Sequence, residues 1–382
     1  ASSPAAPGSP QGAPALSFGV VRMKLEQLRI CGLRCLTDVS LALDPAINVF
    51  VGDNGAGKTS VLEAAFLLSH ARSFRSGARD ALVQRGMAQL ALFAEVRHRD
   101  EPGVERLGLG RSGARWEARI NGEIVSIGEL VQTCAVVCFE PGSHALIAGP
   151  AEERRRYLDW GVFHVEQHFL ALWRRCQRAL KQRNSLLRTG AVPSDDLFEP
   201  WERELSQSAE LIDLQRRAYV DRLRPCLEFS MAALLPELGT MELRYRRGWS
   251  DELALADQLA TQRGRDQARG HTSLGPHRAD WTLSFARAPL REHLSRGQEK
   301  LAALACVLAQ ATLYAQEHGD WPVVCLDDLA SELDQSHQAA VVAQLQDAGA
   351  QVLLTGTELP PALQATDARV FHVEQGRMTR LL

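Results

Sequence analysis

Residues 52–59 read Gly52-Asp53-Asn54-Gly55-Ala56-Gly57-Lys58-Thr59 and match the pattern G-x-x-x-x-G-K-[ST] at every fixed position. Residues 47–51, just before them, are β-branched and aromatic for the most part, which predicts a buried strand. Residues 60–68, just after them, carry apolar side chains at helical spacing, which predicts a helix. A strand, a glycine-rich loop and a helix in this order indicate a phosphate-binding loop.

The residue types explain how such a loop would hold a nucleotide. Glycines let backbone N–H groups close around phosphate oxygens, because no Cβ blocks the approach. The helix that follows directs the positive end of its dipole at the same anion. We expect Lys58 to reach the β- and γ-phosphates of ATP and Thr59 to offer its hydroxyl to Mg²⁺. The expected nucleotide-binding segment runs from Gly52 to Ser60.

Length and composition restrict the class of protein. The 382 residues are enough for two or so domains, and the hydrophobic and charged fractions of 45% and 23% are typical of globular proteins. No run of eighteen apolar residues occurs, so we expect no membrane span. The net charge of -3 means that any DNA contact must come from a local patch. The 8 cysteines lack zinc-finger spacing, which favours reduced thiols and a cytoplasmic protein.

Composition and periodicity divide the chain into four segments. Residues 1–22 are rich in Ala, Pro, Gly and Ser and are expected to be a disordered tail or a non-native extension, with Met23 as a candidate start. Residues 23–140 are predicted to form an α/β ATPase lobe with the phosphate loop and an antiparallel sheet. Residues 141–240 have helical spacing and are predicted to be an inserted helical arm. Residues 241–382 are predicted to form the second lobe.

Alternating residues predict the sheet that flanks the nucleotide core. Residues 25–30 and 39–43 read as two strands joined by a turn at residues 32–34, so Arg34 is a candidate nucleotide contact or a solvated turn arginine. Residues 90–96 and 116–125 read as further strands, with Asn121-Gly122 as a hairpin turn. In the arm, Pro193 and Pro200 are expected to bound a break between helices.

Basic residues concentrate in the first half of the arm. The candidate contacts to a DNA phosphate backbone are Arg174, Arg175, Arg178, Lys181 and Arg183. The alternative is a solvated helix face balanced by acids elsewhere, such as Glu202 and Glu204. We favour DNA contact, because this local excess of positive charge stands on a mildly acidic chain.

Two further motifs lie near the carboxyl end. The first, Leu294-Ser295-Arg296-Gly297-Gln298, has the L-S-x-G-Q pattern of an ABC signature, with Ser295 as the N-cap of a long apolar helix and a second anion site. The second is an apolar strand at residues 323–326 followed by Asp327 and Asp328, the pattern of a Walker B strand. Asp327 is expected to hold Mg²⁺, and Asp328 to orient or deprotonate the attacking water, so Asp328 and Lys58 are the candidate catalytic residues.

The positions of these motifs imply an assembly. In ABC-type heads the signature helix faces away from the phosphate loop of its own subunit. Ser295, Gly297 and Gln298 would therefore reach a γ-phosphate only on a second subunit. ATP would then be shared between two copies of this chain, so binding would close a homodimer and hydrolysis would release it.

From Met23 onward the chain resembles the RecF family. The resemblance rests on residues 52–64 and 294–298 and on Arg72-Ser73-Phe74-Arg75, Glu153-Arg154-Arg155-Arg156-Tyr157-Leu158-Asp159-Trp160, Leu180-Lys181-Gln182-Arg183-Asn184, Gly275-Pro276-His277-Arg278-Ala279-Asp280 and Leu326-Asp327-Asp328-Leu329-Ala330-Ser331-Glu332-Leu333-Asp334. It implies an SMC-like ATPase head with a short helical arm, and it makes Arg75 a candidate nucleotide contact. It also implies a cytoplasmic, weak DNA-dependent ATPase that acts at single-strand gaps, single-/double-strand junctions and stalled forks with RecR and RecO, helping to load RecA. One departure concerns the Gln that the family carries near the end of the strand before Pro141, because Val137 and Cys138 stand there.

Other classes of protein share some of these motifs. The ATPase subunit of a membrane transporter would not be expected to carry a basic helical arm of this length. A small-molecule P-loop kinase would not explain residues 295–298 or the D-loop at residues 331–334. A structural SMC protein would have a far longer coiled coil between the motifs.

Overall fold

A computed structural model describes residues 23–75, 82–98, 103–189, 194–364 and 366–381. The predicted tail at residues 1–22 and the break at Pro193 lie outside these residues. The strands, in chain order, are β1 (Lys24–Leu33), β2 (Leu36–Ala42), β3 (Ile47–Val51), β4 (Gln89–Arg97), β5 (Glu105–Ser112), β6 (Arg115–Ile120), β7 (Glu123–Val125), β8 (Val136–Phe139), β9 (Met241–Arg246), β10 (Asp280–Phe285), β11 (Val323–Leu326), β12 (Val352–Gly356), β13 (Arg369–Glu374) and β14 (Arg377–Arg380). The α-helices are α1 (Lys58–His70), α2 (Ile127–Thr133), α3 (Ala145–Ala148), α4 (Ala151–Val165), α5 (Phe169–Leu187), α6 (Asp195–Leu234), α7 (Leu255–Arg269), α8 (Arg296–His318), α9 (Leu329–Glu332) and α10 (Gln335–Asp347).

The central sheet has the order β14-β13-β3-β12-β11-β8 and is parallel except at β14. Both of its faces are buried, as expected for a sheet whose strands are joined by crossovers. Val49 and Leu354 belong to a hydrophobic core shared with α4, α5, α6 and α8, whereas their neighbours Phe50 and Leu353 belong to a second core that includes α1. This alternation explains why the sequence shows continuous apolar runs in these strands.

A second, antiparallel sheet has the order β2-β1-β4-β5-β6-β7 and covers α1 from the other side. Asn121 and Gly122 both have positive φ, 51° and 89°, and join β6 to β7 as the hairpin signal predicted. The turn between β1 and β2 is formed by Arg34 and Cys35, with Arg34 at φ 55°. The sequence did not reveal β5, which contains Gly108 and Gly110 and so has a weak strand pattern.

The helical segment after β8 is dominated by α5 and α6, which pack against each other, and α6 also packs onto α8. The predicted break at Pro200 is wrong, because α6 begins at Asp195 and continues through Pro200 and Pro225. A proline near the start of a helix removes one backbone hydrogen bond, and packing along a helix of 40 residues offsets that loss. No helix in the described parts of the chain combines the length and apolar content needed to cross a membrane.

Arg183 does not lie on the surface of α5, so its predicted contact with DNA is wrong. Its side chain is 0% exposed and donates to Glu202 Oε1 at 3.0 Å and to Asp266 Oδ2 at 2.7 Å. It also donates to the Thr272 hydroxyl and the Leu259 carbonyl, each at 2.9 Å. The buried residues of α5 include Cys176, Leu180, Arg183 and Leu187, which are three and four positions apart, and Arg183 therefore joins α5 to α6 and α7.

We predict that Arg183→Met destabilises the protein, because it leaves the buried Asp266 carboxylate without its cation. Losing one partner of a buried pair costs about 3–5 kcal/mol of the free energy of unfolding. Urea denaturation followed by circular dichroism measures this change. The control is Arg175→Met, in which a half-exposed surface pair with Glu204 is removed instead. Equal urea midpoints for the two variants would show that the buried network does not hold the arm.

Candidate functional site

The phosphate loop follows β3 and curves tightly onto its neighbours. Gly52 has φ 153°, and a Cβ there would collide with the carbonyl oxygen of Val373 on β13. Gly57 has φ 115° and is the N-cap of α1, and a Cβ there would lie 2.9 Å from Cys35 Sγ. Both positions therefore need glycine for space as well as for conformation. The loop leaves the N-terminus of α1 facing the space that the loop encloses. The free backbone N–H groups of a helix N-terminus favour an anion there.

Lys58 lies inside the loop and is almost fully buried. Its ammonium group donates to the carbonyl oxygens of Gly52 at 2.7 Å and Asp53 at 2.9 Å. These hydrogen bonds fold the side chain over the loop, so its charge lies beside the N-terminus of α1. The positive charge and the helix dipole act on the same small volume.

The end of β11 lies beside the loop. Asp327 Oδ1 accepts a hydrogen bond from the Thr59 hydroxyl at 2.8 Å and another from the Thr355 hydroxyl at 2.7 Å. Burial raises the pKa of Asp327, although the two hydroxyls and the nearby Arg75 favour its charged form. The Thr355 hydroxyl also accepts a hydrogen bond from the backbone amide of Asp328 at 2.8 Å. It therefore contacts the carboxylate of Asp327 and the backbone of Asp328.

Asp328 has a left-handed backbone, with φ 53° and ψ 41°, at the N-cap of α9. Aspartate tolerates this conformation better than most residues, and strained residues of this kind concentrate at functional sites. Its Oδ2 accepts a hydrogen bond from the Ser331 hydroxyl at 2.6 Å. The carboxylate is thus held at the edge of the loop cavity by a residue of the D-loop.

Two arginines predicted to touch nucleotide share one buried acid that the sequence motifs did not single out. Glu63 on α1 is 0% exposed and accepts two hydrogen bonds from Arg34, at 2.7 Å and 3.0 Å. It also accepts one from the Ser73 hydroxyl, and its Oε2 lies 3.8 Å from Arg75 Nη1. Glu63 therefore fixes the guanidinium group of Arg34 and places a negative charge near that of Arg75. A charged residue within an otherwise apolar helix was the available signal.

These groups surround one cavity of about 210 Å³. Its lining includes most of the predicted nucleotide site: Asn54, Gly55, Gly57, Lys58, Thr59, Ser60, Arg34, Arg75, Asp327 and Asp328. Ser295, Gly297 and Gln298 are not among the lining residues. The cavity of this chain therefore contains one half of the predicted site and lacks the signature motif.

The signature motif begins α8 as predicted. Ser295 and Gln298 form a capping box, in which the serine hydroxyl accepts from the Gln298 amide at 3.2 Å and Gln298 Oε1 accepts from the Ser295 amide at 3.0 Å. Gln298 Nε2 donates to Glu237 Oε1 at 3.2 Å. Ser295 and Gly297 are exposed, so this helix N-terminus is open to an anion from outside the chain.

Glu140 occupies the position directly after β8, close to where the family carries its Gln. The parallel pairing of β8 with β11 places Glu140 beside Asp327, whose amide donates to the Phe139 carbonyl at 2.8 Å. Glu140 Oε2 accepts from the Gly142 amide at 2.6 Å. Burial raises the pKa of Glu140, and the neighbouring Asp327 carboxylate adds to this effect.

The donor set around Thr59 fits Mg²⁺. A hydroxyl and a carboxylate oxygen lie 2.8 Å apart at the mouth of the phosphate loop, and both are ligand types that this ion prefers. Thr59 and Asp327 are the residues that would hold it.

The other predicted DNA contacts lie on α5. Arg174, Arg178 and Lys181 are exposed, share one face at spacings of four and three residues, and form no ion pair with any described residue. Arg175 is exposed as well, but its Nε donates to Glu204 Oε1 at 2.6 Å. Acidic side chains thus neutralise Arg175 and the buried Arg183, whereas Arg174, Arg178 and Lys181 have no ion-pair partner among the described residues. We call these three residues the open cations on α5.

Comparisons with known proteins cover nearly the whole chain. The family model described as RecF/RecN/SMC N terminal domain matches residues 24–379. The DNA replication and repair protein RecF of Xanthomonas axonopodis pv. citri is 49% identical over 365 residues, which cover 94% of this chain and 99% of that protein.

Two solved structures are also similar to this chain. The structure of the recombination mediator protein RecF with ATP, in the RecFOR pathway, superposes with a TM-score of 0.86 at 25% identity, covering 94% of this chain and 98% of that one. An Smc head bound to the C-winged helix domain of ScpA has a TM-score of 0.54 at 14% identity, covering 94% and 96% of the two chains, and supports the fold alone. The resemblance and the α/β fold class predicted from the sequence are confirmed. This chain belongs to the RecF family and has the fold of an SMC-type ATPase head.

Proposed function

We propose that this protein is an ATP-dependent DNA-binding switch of recombinational repair. The supporting observation is that the groups of one ATPase site, namely Lys58, Thr59, Asp327 and Asp328, converge on one cavity, whereas Ser295 opens elsewhere on the surface. The cavity of about 210 Å³ is smaller than the roughly 300–1,000 Å³ of a small-molecule pocket. The signature motif of a second copy would complete it, so ATP would close a homodimer.

In this proposal each group acts on the phosphates or on the attacking water. Lys58 and the backbone N–H groups of the loop bind the phosphates, while Arg34 and Arg75 add positive charge at the rim. Thr59 and Asp327 would hold Mg²⁺, which would supply positive charge to stabilise the phosphates. Asp328 accepts a proton from water as the γ-phosphate is attacked. Loss of that phosphate removes the group shared with Ser295 of the other subunit, and the dimer opens.

The place of action follows from the family and from the arm. We propose that the exposed cations on α5 bind the phosphates of DNA at single-/double-strand junctions, and that DNA binding stimulates a slow ATP hydrolysis. The solved relative belongs to the RecFOR pathway. By analogy, the partners of this chain would be RecR directly, with RecO and the loading of RecA downstream.

The catalytic assignment predicts a separation between closing and opening of the dimer. Asp328→Asn should bind ATP but hydrolyse it about 10²–10⁴-fold more slowly, because the amide accepts no proton. Asparagine also tolerates the left-handed backbone, so the fold should survive. Sedimentation velocity with ATP should show a persistent dimer. Adding Ser295→Arg should return the protein to monomer.

The matched control is Asp347→Asn, at the exposed end of α10. It should hydrolyse ATP and sediment like the wild type. A rapid hydrolysis rate for Asp328→Asn would remove Asp328 from the mechanism. A dimer that persists with Ser295→Arg would argue against the shared site.

Glu63 is expected to act by positioning Arg34 and Arg75. Glu63→Gln removes the charge that holds Arg34 and attracts Arg75 at the cavity rim, so we expect the Kd for ATP to rise about tenfold. Equilibrium binding of a fluorescent ATP analogue measures this. Glu26→Gln, which alters a half-exposed pair with Arg97 on the antiparallel sheet, should leave the Kd unchanged. Equal Kd values for both variants would contradict the positioning role.

The open cations on α5 are expected to set the salt dependence of DNA binding. The double variant Arg174→Ala, Arg178→Ala should bind DNA more weakly, and the slope of log K against log salt should fall by about two, one for each phosphate that the variant no longer neutralises. Fluorescence anisotropy at several salt concentrations measures both quantities. Arg119→Ala with Arg244→Ala removes the same charge from exposed residues of β6 and β9. If this control changed the slope equally, α5 would not be the contact surface.

A further inference from the structure

A second cavity, of about 310 Å³, lies at the base of the helical arm, away from the nucleotide site. Its walls come from α4, α5, α6 and the segment before β10. Two motifs that carried the family resemblance, residues 153–160 and 275–280, meet here. The ATP chemistry does not use either of them, so their convergence on one cavity needs its own explanation.

The walls of this cavity are held firmly. Arg216 on α6 donates to both carboxylate oxygens of Asp159, at 2.8 Å and 2.9 Å, and to the Pro276 carbonyl at 2.8 Å. Arg154 donates to both oxygens of Asp280, at 2.7 Å and 3.0 Å. Bidentate pairs of this kind fix geometry. The cavity is therefore preformed, and the charge of Asp159 is neutralised within the wall.

One cationic side chain in the lining remains available to a ligand. Arg155 donates to the Ala279 carbonyl at 2.8 Å and forms no ion pair with a described residue. The acid at the rim, Glu152, is paired with Arg156. His277 Nε2 lies 3.0 Å from the Thr272 carbonyl, which only accepts, so this nitrogen carries the proton. Burial lowers the pKa of His277 to about 4, so the ring is neutral and adds no charge to the cavity.

One wall carries a flat aromatic surface. Trp173 on α5 is 38% exposed and lines the cavity together with Gln177, one turn further along the helix. Trp173 also precedes Arg174, the first of the open cations on α5. The cavity therefore borders the surface that the proposed function assigns to DNA. A basic face next to an aromatic ring is the arrangement that binds single strands by base stacking.

We propose that this cavity binds one nucleotide of a single-stranded DNA segment, with its phosphate on Arg155 and its base stacked on Trp173. The volume is at the lower end of ligand pockets, which suits one nucleotide rather than a base pair. This inference rests on the proposed function. It would also explain a preference for gapped DNA, because the open cations on α5 would bind the phosphates of the duplex and the cavity would bind the single strand.

The test compares Trp173→Ala with Trp173→Phe on three DNAs: a single-stranded oligonucleotide, a blunt duplex and a gapped duplex. Trp173→Ala should bind the single-stranded and gapped DNAs about tenfold more weakly and the blunt duplex as the wild type does. Trp173→Phe should restore most of the affinity, because it keeps a stacking surface. Fluorescence of 2-aminopurine in the single strand should be quenched by the wild type and by Trp173→Phe only. Circular dichroism establishes that both variants are folded, and Gln177→Ala serves as a second variant in the same wall.

Three results would overturn the inference. Unchanged affinity of Trp173→Ala and Gln177→Ala for the single strand would remove the cavity from DNA binding. An equal loss on blunt duplex would make it part of a general phosphate surface. Competition by dTMP as strong as that by the oligonucleotide would assign the cavity to a free nucleotide. If the wild type bound none of the three DNAs, the proposed function itself would fail, and this result is distinct from the other three.

Discussion

A single carboxylate oxygen connects the three parts of the chain that build the candidate ATPase site. Asp327 Oδ1 accepts from Thr59 Oγ1 and from Thr355 Oγ1, although Thr59 is 268 residues away and Thr355 is 28 residues away. The contact exists because β3, β12 and β11 are parallel neighbours, so their carboxyl ends meet at one edge. A slip of one residue in either pairing would turn the acid to the other face of the sheet. The register of the central sheet is therefore as important to the site as the motifs themselves.

Features that depend on a few neighbouring residues could be predicted from the sequence. The loop at residues 52–59, the capping box of Ser295 and the Asn121-Gly122 turn each require particular residue types within one short stretch of chain. Their residue types therefore carry the structural information without reference to the rest of the chain. Strands β3 and β11 of the central sheet were also evident, because a sheet buried on both faces leaves continuous apolar runs. Most of the candidate site follows from these local signals.

Features that depend on distant partners could not be predicted in the same way. Glu63 is buried because Arg34 and Arg75 arrive from a hairpin and from the segment after α1. Glu140 lies beside Asp327 only through the pairing of β8 with β11. Arg183 is the instructive case, because its distance of seven residues from Cys176 already placed it on the buried stripe of α5. Charge suggested a surface residue, whereas periodicity indicated the interior, and periodicity was the better guide because Glu202 and Asp266 compensate the charge.

The long helix α6 connects the cavity at the base of the arm to the region of the signature motif. Its Arg216 holds the wall of the cavity at the base of the arm, and its Tyr219 hydroxyl lies 3.3 Å from Gln310 Nε2 on α8. Just beyond its end, Glu237 accepts the hydrogen bond of the signature residue Gln298. A ligand on the arm would thus contact the middle of α6, and a phosphate at Ser295 would lie near the segment just beyond the C-terminus of that helix. Coupling between two sites requires an element that both of them bias, and α6 packed against α8 is the physical connection between these two sites.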